Sequence, residues 1–144
     1  MKIRPAAWIT RSDQVLTLRY AYPGGTLFSL PGGGQEEGEN LEDTLRRELR
    51  EELAMTVEVG PLIWAGENSP MHHLPATLHI LFRCTPGEEP PRLQPHHTKA
   101  QEALWVPLED IPRLTLYPAV GPWVAHFDTQ GAVYARSLPP RPWL

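Results

Sequence analysis

Residues 30–55 read LPGGGQEEGENLEDTLRRELREELAM, from Leu30 to Met55. Eight of the chain's 17 Asp and Glu residues fall between Glu36 and Glu52, and only Arg46, Arg47 and Arg50 stand among them. The stretch carries five net negative charges, while the rest of the chain carries one positive charge, which together give the formal net charge of −4. Carboxylates packed this densely repel one another unless something cationic joins them.

The spacing predicts a helix over Leu41 to Leu53. Leu41, Leu45, Leu49 and Leu53 form an apolar stripe, and Asn40 is placed to cap its start, with Asp43 three residues on to complete a capping box. Glu42 and Asp43 suit the positive end of the helix dipole. At ~100° per residue, Glu48 and Glu52 fall on the edge of the stripe and Glu51 just beyond it, while Arg46 and Arg50 point to solvent. Glu48, Glu51 and Glu52 stand at i, i+3 and i+4 and so share a face. As a bare cluster beside a core they are costly. A hard divalent cation would neutralise them, and Mg²⁺ prefers such oxygen ligands. The alternative, from the helix alone, is a surface helix stitched by Asp43–Arg47 and Arg47–Glu51 ion pairs. Gly32, Gly33 and Gly34 precede the helix. Glycine lets backbone approach a ligand closely. Its carbonyls could complete a metal site and its amides could face a phosphate, or the run could be an ordinary turn.

Outward from this stretch, strands are expected at Ile3 to Thr10, Gln14 to Tyr20, Thr26 to Leu30, Val57 to Ala65, Ala76 to Cys84 and Ala103 to Leu108. VLTLRY alternates apolar and polar residues, as a half-buried strand does. Residues 85–99, TPGEEPPRLQPHHTK, read as a proline-rich surface loop, and LEDIPRL as a turn or short helix. Tyr117 to Phe127 is expected to be a C-terminal helix, interrupted by Gly121 and Pro122, and the ending SLPPRPWL to be irregular. Strands on both sides of one strong helix point to an α/β sandwich with a mixed sheet. The 144 residues are expected to form one domain. The lone Cys84 excludes an internal disulfide framework and fits a reducing, cytoplasmic setting. The start MKIRPAAWIT lacks the apolar core of a secretory signal, and no run approaches the ~18 apolar residues of a membrane span. Mild acidity argues against a nucleic-acid binder.

The central stretch resembles the Nudix box, G-x5-E-x7-R-E-U-x-E-E-x-G-U, with U aliphatic. Gly33, Glu39, Arg47, Glu48, Leu49, Glu51, Glu52 and Met55 occupy its fixed positions over 23 residues. Only Ala54 departs, where the family has Gly. The resemblance implies a Nudix-type α/β/α sandwich whose loop and helix carry a metal site, over the whole chain. It implies a MutT-type pyrophosphohydrolase, in which a water activated by Mg²⁺ or Mn²⁺ attacks the pyrophosphate of a nucleoside diphosphate linked to a group X. Carried onto this chain, it makes Glu48, Glu51 and Glu52 metal ligands, joined by a carbonyl of Gly32 or Gly33, with one glutamate as base. Arg47 would orient the glutamates, and Glu39 would brace the loop or reach a second metal. The family's Gly there would take the left-handed conformation that ends the helix, so Ala54 is expected to bring a small loss of stability or a slightly different helix exit, with the metal site intact.

Glu102, just before the Trp105 strand, matches the place of a further base or ligand in many relatives; otherwise it is a solvated loop residue. Arg4, Arg19, Gly33 and Gly34 are the substrate-binding candidates, with surface charge as the alternative for the arginines. The pairs His72–His73 and His96–His97 are expected as solvated loop residues, with substrate contact by one pair as the alternative that the resemblance implies; one thiol and adjacent histidines argue against a zinc site. Phe28, Trp64, Trp105 and Trp123 are expected in the core or an interface, and Tyr117 is a weaker candidate to stack on a base. The expected substrate is a small nucleotide, foremost a nucleoside triphosphate. ADP-ribose or a sugar nucleotide is the alternative, although Pro70 lies 15 residues after Met55 where ADP-ribose relatives have Pro about 16 after. A non-catalytic nucleotide-binding regulator is the reading of another class. Trp143 and Leu144 give the tail an apolar end, from which, with the family, a homodimer is expected.

Overall fold

The computed structural model describes residues 1–128 and 131–143. The chain runs β1 (Lys2–Trp8), β2 (Thr10–Arg11), β3 (Gln14–Tyr22), β4 (Gly25–Ser29), α1 (Leu41–Leu53), β5 (Val57–Asn68), β6 (Thr77–Pro86) and β7 (Glu102–Pro107). A 3-10 turn (Leu108–Arg113), β8 (Leu116–Tyr117), a second 3-10 turn (Gly121–His126) and β9 (Val133–Ala135) complete it.

Two mixed sheets form the frame. In the first, in order β1-β6-β5-β9, β1 runs parallel to β6, β6 antiparallel to β5, and β5 parallel to β9. In the second, β3 pairs antiparallel with β2 and β4 and with β7, and β8 lies parallel to β4. The period of two along β1 splits its side chains between two cores. Ala7, with Ile9 after the strand, joins Leu16, Leu18, Phe82 and the leucine stripe Leu45, Leu49 and Leu53 of α1. Ala6 and Trp8 face the other way, onto Trp64, Leu81, Val120 and Phe127. Thus α1 covers one side of the frame and the 3-10 turns cover the other.

This is the expected α/β fold, and the helix spans the expected residues. Asn40 caps it, its Oδ1 accepting from the Asp43 amide at 2.8 Å. The Asp43 side chain turns instead to Arg46, so the reciprocal half of a capping box is not formed. The C-terminal helix expected over Tyr117 to Phe127 shortens to the 3-10 turn at Gly121–His126, with Pro122 in its first turn. A proline there removes no needed N–H, but the Gly-Pro pair keeps an α-helix from running in from Tyr117. Phe28, Trp64 and Trp123 pack into the core beside Trp8, and Trp105 into the one beneath α1.

The tail is held by more than its apolar end. Arg141 is buried and donates to the carbonyls of Ser69 and Pro75 and to Thr77 Oγ1. The Leu138 amide donates to Glu67 O, and Asn68 Nδ2 donates to Pro139 O. Trp143 packs edge-on against Tyr117, 4.7 Å between ring centroids. Leu144, the other residue behind the expected dimer contact, lies outside the described residues. No helix among the described residues is long and apolar enough to cross a membrane.

Candidate active site

Arg47 organises the acidic stretch. Its Nε donates to Glu39 Oε2 at 2.6 Å and its Nη2 to Glu39 Oε1 at 3.0 Å, a two-pronged pairing that only a guanidinium makes. Nη2 also reaches the Gly34 carbonyl, and Nη1 donates to Glu48 at 3.1 Å and to Glu51 at 3.3 Å. The Arg47 contact, with help from the Glu36 amide and the Thr44 hydroxyl, pulls the Glu39 carboxyl down to about 2. Glu39 is therefore a brace between loop and helix. Of the pairings weighed from the sequence, Arg47–Glu51 forms, whereas Asp43 pairs with Arg46.

Glu52 and Glu48 form the chemically strained part. Glu52 is only 8% exposed and the Glu48 side chain 15%. Burial, and then the Glu48 carboxyl within hydrogen-bond reach, push Glu52 up to about 8. Arg4 and the Thr98 hydroxyl pull the other way. That hydroxyl also meets Tyr20 Oη at 3.2 Å, so Tyr20, Thr98 and Glu52 form a polar chain. Such a carboxyl pair keeps a proton between its members until a cation replaces it. Its hard oxygen donors fit an ion of the Mg²⁺ type, which takes one or two carboxylates and fills its remaining positions from water and phosphate. Among the described residues, however, no three acidic, histidine or cysteine side chains are gathered closely enough to hold a metal. Of the three acids expected from helix spacing, Glu48 and Glu52 lie within hydrogen-bond reach of each other, and Glu51, 40% exposed, accepts from the same Arg47 Nη1 as Glu48.

The glycine run packs as an edge of β1. The Gly33 amide donates to Pro5 O and the Gln35 amide to Ile3 O. The Gly33 amide is thus engaged within the protein and does not cradle a phosphate as the sequence allowed. The glycines serve close approach. A Cβ at Gly32 would lie 2.2 Å from Pro5 O, and one at Gly33 would lie 2.3 Å from the Glu48 carboxyl carbon. The absent side chain of Gly33 is what gives Glu48 its place.

Arg4 donates from Nη2 to Leu30 O, sits 5.1 Å over the Tyr117 ring, and leaves Nη1 buried with no hydrogen-bond partner. It is close enough to Glu52 to act on it, as a phosphate-binding residue would need to be. Arg19 and Glu102 face each other in register on β3 and β7, with Arg19 Nη2 3.6 Å from Glu102, and Arg19 Nη1 donates to Gln101. The structure brings these two candidates together as an exposed ion pair. His72 lies in the turn between Met71 and Leu74 with His73, and His96 and His97 in a turn of the proline-rich loop. Cys84 is buried and its thiol pushed up to about 12, chiefly by burial, which leaves it inert. Thr98 is the site residue that sequence reasoning missed. Nothing in residues 85–99 marks it, because its role comes from the loop folding back on α1, where Arg92 and Gln94 amides cap the carbonyls of Leu53 and Glu52.

The NUDIX domain family model matches residues 2–127. Nucleoside triphosphatase NudI of Escherichia coli O139:H28 is 28% identical over 102 residues, covering 65% of this chain and 69% of that protein. NudI of Enterobacter sp. strain 638 is 49% identical over 41 residues, so the match spans little more than a quarter, 28%, of each chain. Among solved structures, the E. coli ORF135 protein superposes with a TM-score of 0.72 at 21% identity, over 92% of this chain and 94% of that one. The family model, the box that carries it and the shared fold agree, and the chain belongs to the Nudix hydrolase family.

Proposed function

We propose that the chain hydrolyses a pyrophosphate bond of a small nucleotide, foremost a nucleoside triphosphate, with Mg²⁺ or Mn²⁺ as cofactor. The observation that carries this reading is the buried Glu48–Glu52 pair beside the Arg47 fork. When bound, the divalent ion supplies Lewis acidity to a water and offsets the charge of the phosphate chain. Glu48 and Glu52 would hold it, with a carbonyl of Gly32 or Gly33. Arg47 keeps Glu48 and Glu51 in register, and a substitution that removes its fork lets both carboxylates wander. Burial beside Glu48 makes Glu52 hold a proton in the absence of the ion, and a bound cation would displace that proton and leave both carboxylates charged. Arg4, which acts on Glu52 and has a buried Nη1 without a hydrogen-bond partner, would meet a phosphate oxygen. The NudI relatives, named as nucleoside triphosphatases, support triphosphates over ADP-ribose and sugar nucleotides. The resemblance of the sites to an enzyme rests on every box glutamate being present.

The test is a substrate panel with Mg²⁺: unmodified and oxidised nucleoside triphosphates, ADP-ribose, sugar nucleotides and dinucleoside polyphosphates, with products separated by chromatography. One class should be cleaved, and Glu52→Gln should reduce turnover at least a hundredfold, a loss of about 3 kcal/mol of transition-state stabilisation. Cleavage that survives in Glu52→Gln would remove the carboxylate pair from the chemistry. A wild-type chain that binds nucleotide and cleaves none would favour the regulator reading.

A further inference from the structure

Beside the acid pair lies an aromatic cleft of about 440 Å³, lined by Arg4, Tyr20, Tyr22, Leu27, Tyr117 and Trp143 among others. Two observations tie it to the chemistry. Tyr20, one wall, reaches Glu52 through the Thr98 hydroxyl. Arg4, another, lies over the Tyr117 ring and also acts on Glu52. The last wall, Trp143, comes from the tail, beyond residue 127 where the family match ends. That tail is pinned by the three hydrogen bonds of buried Arg141. Tyr117 is held between His79 and Trp143, edge-on to both, at 4.8 and 4.7 Å. The rings stand at fixed angles around a space of the size that takes a small ligand.

We propose that this cleft receives the nucleobase of the substrate, and that Trp143 is a specificity-determining residue supplied by the tail. The occupant is a planar aromatic base because the cleft is lined by several rings and one cation, and two of its lining residues, Tyr20 and Arg4, also act toward Glu52. A sugar or an aliphatic group would leave those rings without a partner. The inference rests on the proposed nucleotide hydrolysis, whose phosphate chain fixes where the base must lie. Base stacking on an aromatic side chain is worth enough to change affinity about tenfold or more on its removal.

The experiment uses the full chain and two variants, Trp143→Leu, which keeps apolar bulk without a ring, and Trp143→Phe, which keeps a ring. Binding of AMP, GMP, CMP and UMP is measured calorimetrically without divalent ions, with ribose 5-phosphate as the control lacking a base. Turnover of the triphosphate panel runs in parallel, and melting temperatures are compared. At least one monophosphate should bind well above ribose 5-phosphate. Trp143→Leu should weaken it about tenfold and raise KM similarly with kcat within twofold, and Trp143→Phe should keep most of the affinity. Monophosphates that bind no better than ribose 5-phosphate, or equal affinity in Trp143→Leu, would overturn the proposal. Cleavage with a KM indifferent to Trp143 would leave the hydrolase standing and remove the cleft. Binding that depends on Trp143 in a chain that cleaves nothing would keep the cleft and remove the hydrolase.

Discussion

Ala54 ends α1 at φ 53°, ψ 35°, and its amide and that of Met55 return to Arg50 O and Leu49 O. The left-handed turn that the family builds on glycine is thus made by alanine, whose Cβ crowds the following carbonyl. Ala54→Gly should stabilise the fold by about 1 kcal/mol, less whatever glycine adds to the freedom of the unfolded chain. Urea denaturation reads this, and a variant less stable than the parent would refute the strain. Gly32 and Gly33 separate two kinds of close approach. A Cβ at Gly32 meets backbone, which does not yield, whereas one at Gly33 meets the end of the Glu48 side chain. Gly32→Ala should therefore melt several degrees early. Gly33→Ala should fold near normally and lose catalysis at least tenfold, because Glu48 is displaced. Equal melting temperatures for the two variants would contradict this division. At this scale helix spacing put Glu48, Glu51 and Glu52 on one face, and the resemblance of the box gave Arg47 its place beside them. The sequence could not disclose that the Gly33 amide binds Pro5 or that Thr98 touches Glu52, because each depends on segments distant along the chain.

The helix is the element most legible in the sequence. Its cap, its leucine stripe and its stop are local signals, and Leu41–Leu53 is bounded as they indicate. The strands around it were legible from alternation, although β5 continues to Asn68, beyond the expected Ala65. Least legible was the tail. Its three-residue strand β9 gains its place from parallel pairing with β5, and Arg141 anchors it to carbonyls some seventy residues back, so no local pattern announces either. The end of the helix shows the same non-local support, with amides of Arg92 and Gln94 donating to Leu53 O and Glu52 O at 2.8 and 2.9 Å. These two amides belong to a proline-rich loop that would otherwise be solvated, and they should exchange with solvent deuterium at least tenfold more slowly than their loop neighbours. Fast exchange at both would mean that the loop does not close the last turn of α1 in solution.

Across the molecule, His79 links the two sheets' surroundings to pH. It is fully buried, Nε2 lies 2.8 Å from Asn68 Oδ1, and Nδ1 has no hydrogen-bond partner. Since Asn68 Nδ2 is taken by Pro139 O, the amide oxygen accepts and Nε2 carries the proton. Burial first, then the charges of Arg4, Arg141 and Lys2, hold His79 down to about 3, against an ordinary value of 6.5. The fold therefore contains neutral imidazole, and below pH 6.5 the unfolded chain binds a proton that the folded chain refuses. The stabilisation is complete above pH 6.5 and falls away as pH drops toward 3, with a slope approaching ~1.4 kcal/mol per pH unit. His79→Gln should flatten that slope in urea titrations between pH 6 and 4, and an unchanged slope would show that other groups set it. The uneven distribution of charge has a further consequence. With five net negative charges gathered between Glu36 and Glu52 and near neutrality elsewhere, the face that must receive a phosphate chain repels one that arrives alone. Encounter then has an order: the cation comes first, or cation and nucleotide come together as a single, partly neutralised visitor. Added salt, by shortening the reach of that repulsion, speeds the approach of a free anion where it would slow a partner drawn in by opposite charge.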